Sequence, residues 1–356
     1  MMRMIKRADI TPRQSALIKL YAVLSALIAS SFFIFLLGHN PLDVYVSMAK
    51  GAFGSAYRIK DTITITIPLV VTSVGIMIAF KMKFWNIGAE GQILVGALFA
   101  SYVALNFDAL PKPLLLLVMM IAGFAGGGLW AMIPAMLKVR FDTNETIVTL
   151  MMNYIALQWI TYLQYGPWKD PNSMGFPKIA NFADNAVMPK IFGVHVGWIF
   201  AIFLVVLMTF VMRRTKQGYQ IAVVGESKNT ARYSGINVSK VIVLSIIVSG
   251  GICGIAGMMQ ASAVNQTLNT QLSAGYGYTA IITAWLSGLS PILIVPVSVL
   301  FAAMTKGGSF IQTAFQIPQS AAEIIQSLIL FFVIGSEFFV QYKLVFNKKG
   351  KKEDAA

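Results

Sequence analysis

Apolar runs of about twenty residues recur from one end of this chain to the other, and they exclude most folds open to a sequence of its length. LYAVLSALIASSFFIFLLG, TITIPLVVTSVGIMIAF and VIVLSIIVSGGICGIAGMM are three of them. A helix of that length matches the thickness of a bilayer's hydrocarbon, and inside hydrocarbon every backbone N–H and C=O must find its partner within the protein. A large water-soluble core would instead need polar faces at helical spacing, which most segments lack. Composition agrees. The chain is 57% hydrophobic and 12% charged, with mean hydropathy +0.71, where soluble domains carry about a quarter charged residues. The expected fold is an all-α integral membrane protein, a bundle of about ten spans (8–10), some short or broken.

The candidate spans fall near 18–38, 62–80, 84–105, 112–137, 145–165, 195–212, 241–263, 276–289, 291–305 and 320–341. The eighth and ninth are short, flank Ser290-Pro291, and read as half-helices or a re-entrant pair. The basic start MMRMIKRADITPRQSALIK precedes an apolar run too long for a secretory signal and with no clear cleavage site, so it reads as a retained first span. The net charge of +14 is distributed by topology: with the N-terminus inside, twenty of the 28 Lys and Arg lie in inner segments. Both termini are therefore expected in the cytosol, with an even number of spans, and nucleic acid is not an expected partner. Residues 1–345 form the membrane domain and 346–356 a charged cytosolic tail. Outside, residues 39–60 are expected along the membrane surface, and the proline-rich 166–194 suits either a docking surface or a passive connection.

Few residues carry chemistry. Cys253 is a lone cysteine inside an apolar run, His39 and His195 stand near span ends, and no cluster has metal-ligand spacing. No phosphate-binding G-x-x-x-x-G-K-[ST] occurs, so this chain is not expected to hydrolyse ATP or to be an enzyme. Ser47-Met48-Ala49-Lys50 matches S-x-x-K, and Asn144, Asn237 and Asn265 match N-x-[ST], at chance frequency. The polar exception is FWNIGAEGQ (84–92), which sets Asn86, Glu90 and Gln92 between apolar runs. A carboxylate there is costly. Glu90 either lines a polar pathway, or pairs with Lys83 or caps a helix start. Asn153, Tyr154, Gln158 and Trp159 decorate the fifth span, and interhelical bonding or an aromatic belt explains them as well as a pathway does. Gly250 with Gly254, and Gly123 with Gly127, have the spacing that lets helices pack closely. The most polar inner stretch, 213–240, places Gly225 at a turn, Ser227 or Glu226 as the cap of a short helix over 227–234, and Gly235 at its end.

FWNIGAEGQILVGAL resembles the FNIGAEGQ signature of permease subunits of bacterial ABC importers. The likeness is to the nucleoside and simple-sugar group within the ribose and branched-chain amino-acid permease family. IPLVVTSVGIMIAF, IPAMLKVRFDTNETIVTLMMNYIALQ, VVGESKNTARYSGINVSK and GYGYTAIITAWLSGLSPI follow in family order, over about residues 35–335. The resemblance implies a type II ABC-importer-like permease with nucleosides as substrate, or simple sugars or riboflavin. It implies a cytosolic ABC ATPase that uses ATP and Mg, a second permease subunit and an extracytoplasmic substrate-binding lipoprotein, with no cofactor in this chain. A bacterial plasma membrane location goes with it. Residues carried over for ATPase coupling are Gly225, Glu226, Asn229, Ala231, Arg232 and Gly235. Candidate pathway residues are Asn86, Glu90, Gln92, Asn153, Tyr154 and Trp285. A proton-coupled secondary carrier using Glu90 is the rival mechanism.

Overall fold

The computed structural model describes residues 2–6, 11–173 and 175–346; most of the expected tail, from residue 347 on, lies outside them. In chain order the elements are β1 (Met2–Lys6), α1 (Pro12–Leu36), α2 (Pro41–Phe53), α3 (Ala56–Lys81), α4 (Ala89–Asn106), α5 (Lys112–Phe141) and α6 (Glu145–Tyr165). Then come β2 (Lys190–Ile191), β3 (Val194–His195), α7 (Gly197–Arg214), α8 (Lys216–Glu226), α9 (Lys228–Tyr233) and α10 (Val238–Met259). The last are α11 (Tyr276–Leu286), α12 (Pro291–Phe315), α13 (Gln319–Gln341) and β4 (Tyr342–Phe346).

A helix lies on each expected span. Among the described residues six of them, α3, α5, α6, α7, α10 (with the π-turn that continues it) and α12, are long and apolar enough by themselves to cross a membrane. The ninth segment departs from expectation: α12 is a full 25-residue helix rather than a short piece. Within it Gly307 lies against α2, where a Cβ would press on the Met48 backbone.

The chain forms two compact units. One comprises 1–54 and 303–356, the other 55–302. In the first, α1 and α2 meet at a bend of 110°. Asn40 makes that bend by capping α2 through the Leu42 N–H, at 3.0 Å. His39 stacks edge-on with Phe315 at 5.3 Å. β1 pairs antiparallel with β4, which brings the two ends of the chain to one side.

In the second unit α3 and α10 are central. Their apolar windows are 83% and 72% buried, against 28% for α6 and α7. Between their ends α6 and α7 expose mainly apolar side chains, including Ile155, Ile202, Phe203 and Phe210, with Gln158 among the exceptions. An apolar exterior around a packed interior is the pattern lipid imposes. The interior is assembled on glycine. A Cβ on Gly254 would collide with the Gly123 carbonyl of α5, one on Gly96 of α4 with Gly254 itself, and one on Gly127 with the Gly250 carbonyl. Three backbones thus come within touching distance. Ser249 Oγ ties α10 to α3 through the Gly75 carbonyl at 2.7 Å, and Cys253 is fully buried alongside.

Segment 166–194 is tied down. The Phe182 N–H donates to Gln266 O at 2.8 Å, and the hydroxyls of Thr267 and Ser262 bond the carbonyls of Ile179 and Ala186. His195 closes the β2–β3 hairpin, and burial, helped by the Lys190 charge, pushes its imidazole down to about 4. Asn144 and Asn237, read above as chance N-x-[ST] matches, cap α6 and α10.

Candidate functional site

After α3 the chain does not turn directly into α4. Lys83 takes a left-handed conformation (φ 55°), and 84–87 run without helix before α4 begins at Ala89. An unwound stretch leaves backbone groups unpaired, and inside a bundle other side chains must satisfy them. Gly88, at the start of α4, supplies no side-chain cap. Asn153 on α6 does so from across the bundle: its Oδ1 accepts the Gly91 N–H at 2.9 Å, and its Nδ2 donates to Ile87 O at 2.9 Å. Thr149, one turn earlier, accepts the Ile87 N–H at 3.2 Å. Asn86 and Gln92 bond each other reciprocally at 3.2 and 3.1 Å, and Asn86 also accepts the Gly88 N–H. Both amides are essentially inaccessible, at 0% and 1% exposure.

Glu90 reaches the other way. Its two oxygens accept the N–H groups of Gly275, at 3.0 Å, and Gly277, at 2.7 Å. The Ser273 hydroxyl lies within hydrogen-bonding reach of the same carboxylate. Those donors are the start of α11, which has no side-chain cap of its own. Glu90 also stands in the first turn of α4. One carboxylate therefore sits where two helices begin, and the positive ends of both dipoles face it. Gly277 is required: a Cβ there would run into the Glu90 backbone. Among the described residues no ion pair joins Glu90 to Lys83, so of the two structural readings the geometry is that of a helix cap.

The remaining candidate residues lie apart from this cluster. Tyr154 points outward from α6 and is 56% exposed, lining an open trough of about 520 Å³ with Ile155, Gln158, Trp159 and Tyr162. Trp285, near the far end of α11 from Glu90, stacks on Trp85 at 5.5 Å and 26°, with Phe80 5.6 Å away. Trp85, Thr149, Ser273 and the Gly275–Gly277 donors were not singled out from the sequence. GYGYTA held the only hint of the last, as a glycine-rich entry to an apolar helix.

The model of the branched-chain amino acid transport system / permease component family matches residues 58–334. A glucose ABC transporter permease of Haloferax volcanii is 31% identical, covering 94% of this chain and 91% of that protein. The guanosine permease NupP of Bacillus subtilis is 30% identical, over 94% and 97%. NupQ of the same organism is 28% identical, over 63% and 72%. The chain belongs to this permease family. It is a multi-pass membrane protein and a transporter subunit rather than an enzyme, as its relatives are.

In the permease the polar segment 213–240 folds as α8 and α9. Ser227 caps α9 by accepting the Thr230 N–H at 3.3 Å. Gly235 (φ 73°) ends it, with the Gly235 and Ile236 N–H groups returning to Arg232 and Ala231 carbonyls at 3.0 Å. Asn229, Arg232 and Tyr233 face out, Tyr233 at 94% exposure, while Ala231 is buried. Glu226 is the exposed last residue of α8. The expected turn at Gly225 is not there. Gly225 lies inside α8, where a Cβ would strike the Lys81 carbonyl, so its role is to let α8 lie against the end of α3.

Proposed function

We propose that this permease is the membrane subunit of an ABC importer for nucleosides, with the pathway running along the exposed face of α6. The observation that carries this is the trough of Tyr154, Ile155, Gln158, Trp159 and Tyr162, three aromatic residues in an almost wholly apolar surface. Such a surface suits a neutral solute with a flat ring. An open trough is half a channel, so a second permease completes it. That NupP and NupQ of one organism both resemble this chain supports such a pair. Asn86, Glu90, Gln92 and Asn153 then support the pathway from behind by holding α4 and α11, and Trp285 of α11 stacks on Trp85. Glucose is the second reading, favoured by the Haloferax relative. In reconstituted vesicles with the ATPase and binding protein, labelled guanosine or uridine is expected to accumulate in preference to glucose. Accumulation of glucose alone would overturn the nucleoside assignment.

The architecture proposed is type II, with ten crossings, both termini in the cytosol and 1–345 as one membrane domain. Pairing of β1 with β4 supports an even number of crossings, and the inner excess of Lys and Arg supports the orientation. Energy comes from a cytosolic ATPase using ATP and Mg, and a lipoprotein delivers solute from outside. Glu90 is engaged by backbone donors on both oxygens, which favours this over proton coupling.

α9 is the element proposed to engage the ATPase, through Glu226, Asn229 and Arg232, with Gly225, Ala231 and Gly235 setting its geometry. Proline cannot adopt the positive φ of Gly235 and has no N–H for the Arg232 carbonyl. Gly235→Pro and Arg232→Glu should each abolish uptake while leaving membrane insertion intact; normal uptake in both would remove α9 from the mechanism.

A further inference from the structure

A second cavity, of about 360 Å³, lies between α3, the β2–β3 hairpin, α7 and α12. Ile67, Val70, Phe192, Trp198, Ile202 and Val299 line it, and its walls are apolar almost throughout. It is open rather than enclosed, and the helices around it are membrane spans, so what fills it comes from the bilayer. Ile63, Ile67 and Val70 form one stripe along α3, at spacings of four and three. Lys60 stands at the head of that stripe, one turn before Ile63, and is exposed. Its ammonium folds over the hairpin turn: a Cβ on Gly193 would lie 3.0 Å from Lys60 Nζ. Lys190, also exposed, stands on the same hairpin, paired with His195. Asp61, the adjacent acid, is set about 100° further round the helix. Lys60 to Val70 spans roughly 15 Å at 1.5 Å per residue, half of a hydrocarbon core about 30 Å thick. The groove thus has the depth of one leaflet, with Lys60 at its headgroup end and Lys190 on the hairpin that borders it. Phe192, 84% exposed at the hairpin tip, holds a left-handed backbone (φ 57°) that costs a bulky residue energy, which places its ring beside the groove's mouth.

We propose that this groove is a binding site for an anionic phospholipid, one acyl chain lying along Ile63–Val70 and the phosphate held between Lys60 and Lys190. It does not depend on the solute carried. The test is native mass spectrometry of the full-length permease in detergent, titrated with phosphatidylglycerol or phosphatidylcholine. Wild type should retain phosphatidylglycerol preferentially. A Lys60→Ala/Lys190→Ala double variant should lose roughly thirtyfold in that affinity, and phosphatidylcholine should be unaffected. Ile67→Trp, which fills the groove without touching either cation, should displace both lipids. Equal binding of the two lipids by wild type, or a double variant that still prefers phosphatidylglycerol, would overturn the headgroup assignment. A Phe192→Cys variant that crosslinks copies of the chain with no lipid retained would make the groove a protein interface instead.

Discussion

Replacing Glu90 by alanine is expected to abolish transport by releasing the start of α11. The substitution leaves the N–H groups of Gly275 and Gly277 without their acceptor inside the bundle. Each buried donor so stranded costs about 1–3 kcal/mol, and hydrocarbon offers no water to replace the bond. The charge facing two helix starts is lost as well. Glu90→Gln keeps one acceptor but turns an amide N–H toward the other donor, so it should transport at an intermediate level. A cysteine at the α11 start, probed with a membrane-permeant thiol reagent on a Cys253→Ala background, should become reactive in Glu90→Ala and stay protected in the parent. If Glu90→Ala transports normally and the probe stays protected, the cap has no role in positioning α11.

Gly254→Val is expected to prevent the bundle from assembling. Its added atoms would occupy the place of the Gly123 carbonyl, and Gly96 approaches from the other side. Overpacking a core commonly costs about 1–3 kcal/mol when side chains can shift, and more where the obstacle is backbone. Gly254→Ala should show a weaker form of the same defect. Gly335→Ala in α13, where a Cβ would meet nothing within 4 Å, is the control and should leave the protein unchanged or slightly more stable. Yield of monodisperse protein in detergent, followed by its unfolding temperature, measures all three. A well-folded, active Gly254→Val would mean that α4, α5 and α10 do not pack as described.

Much of the fold was legible because lipid imposes a simple code. Where a run is apolar all round and twenty residues long, helix is nearly the only option, and the end of α3, the start of α5 and both ends of α6 follow closely. Small residues four apart marked α5 and α10 as closely packed helices for the same reason, though not that they pack on each other. The cap at Ser227 and the stop at Gly235 are local chemistry, complete within nine residues. Gly225 was misread because a glycine that admits a neighbouring helix and a glycine that turns the chain look alike until the neighbour is in place. Asn153 and Tyr154 were both candidate pathway residues, but successive helical residues point about 100° apart, so one caps α4 and the other faces outward with Gln158.

The amino-acid order by itself determined that the chain spans a membrane as helices, where its polar exceptions lie, and to which family it belongs. These rest on hydrophobicity, spacing and motif, all of which are local. What only the tertiary structure decided is the use made of the exceptions. Glu90 meets donors 185 and 187 residues away, and Asn153 meets groups 62 and 66 away. A buried polar group must be satisfied, but its own sequence neighbourhood does not say by whom; that is set when helices distant along the chain come to rest side by side.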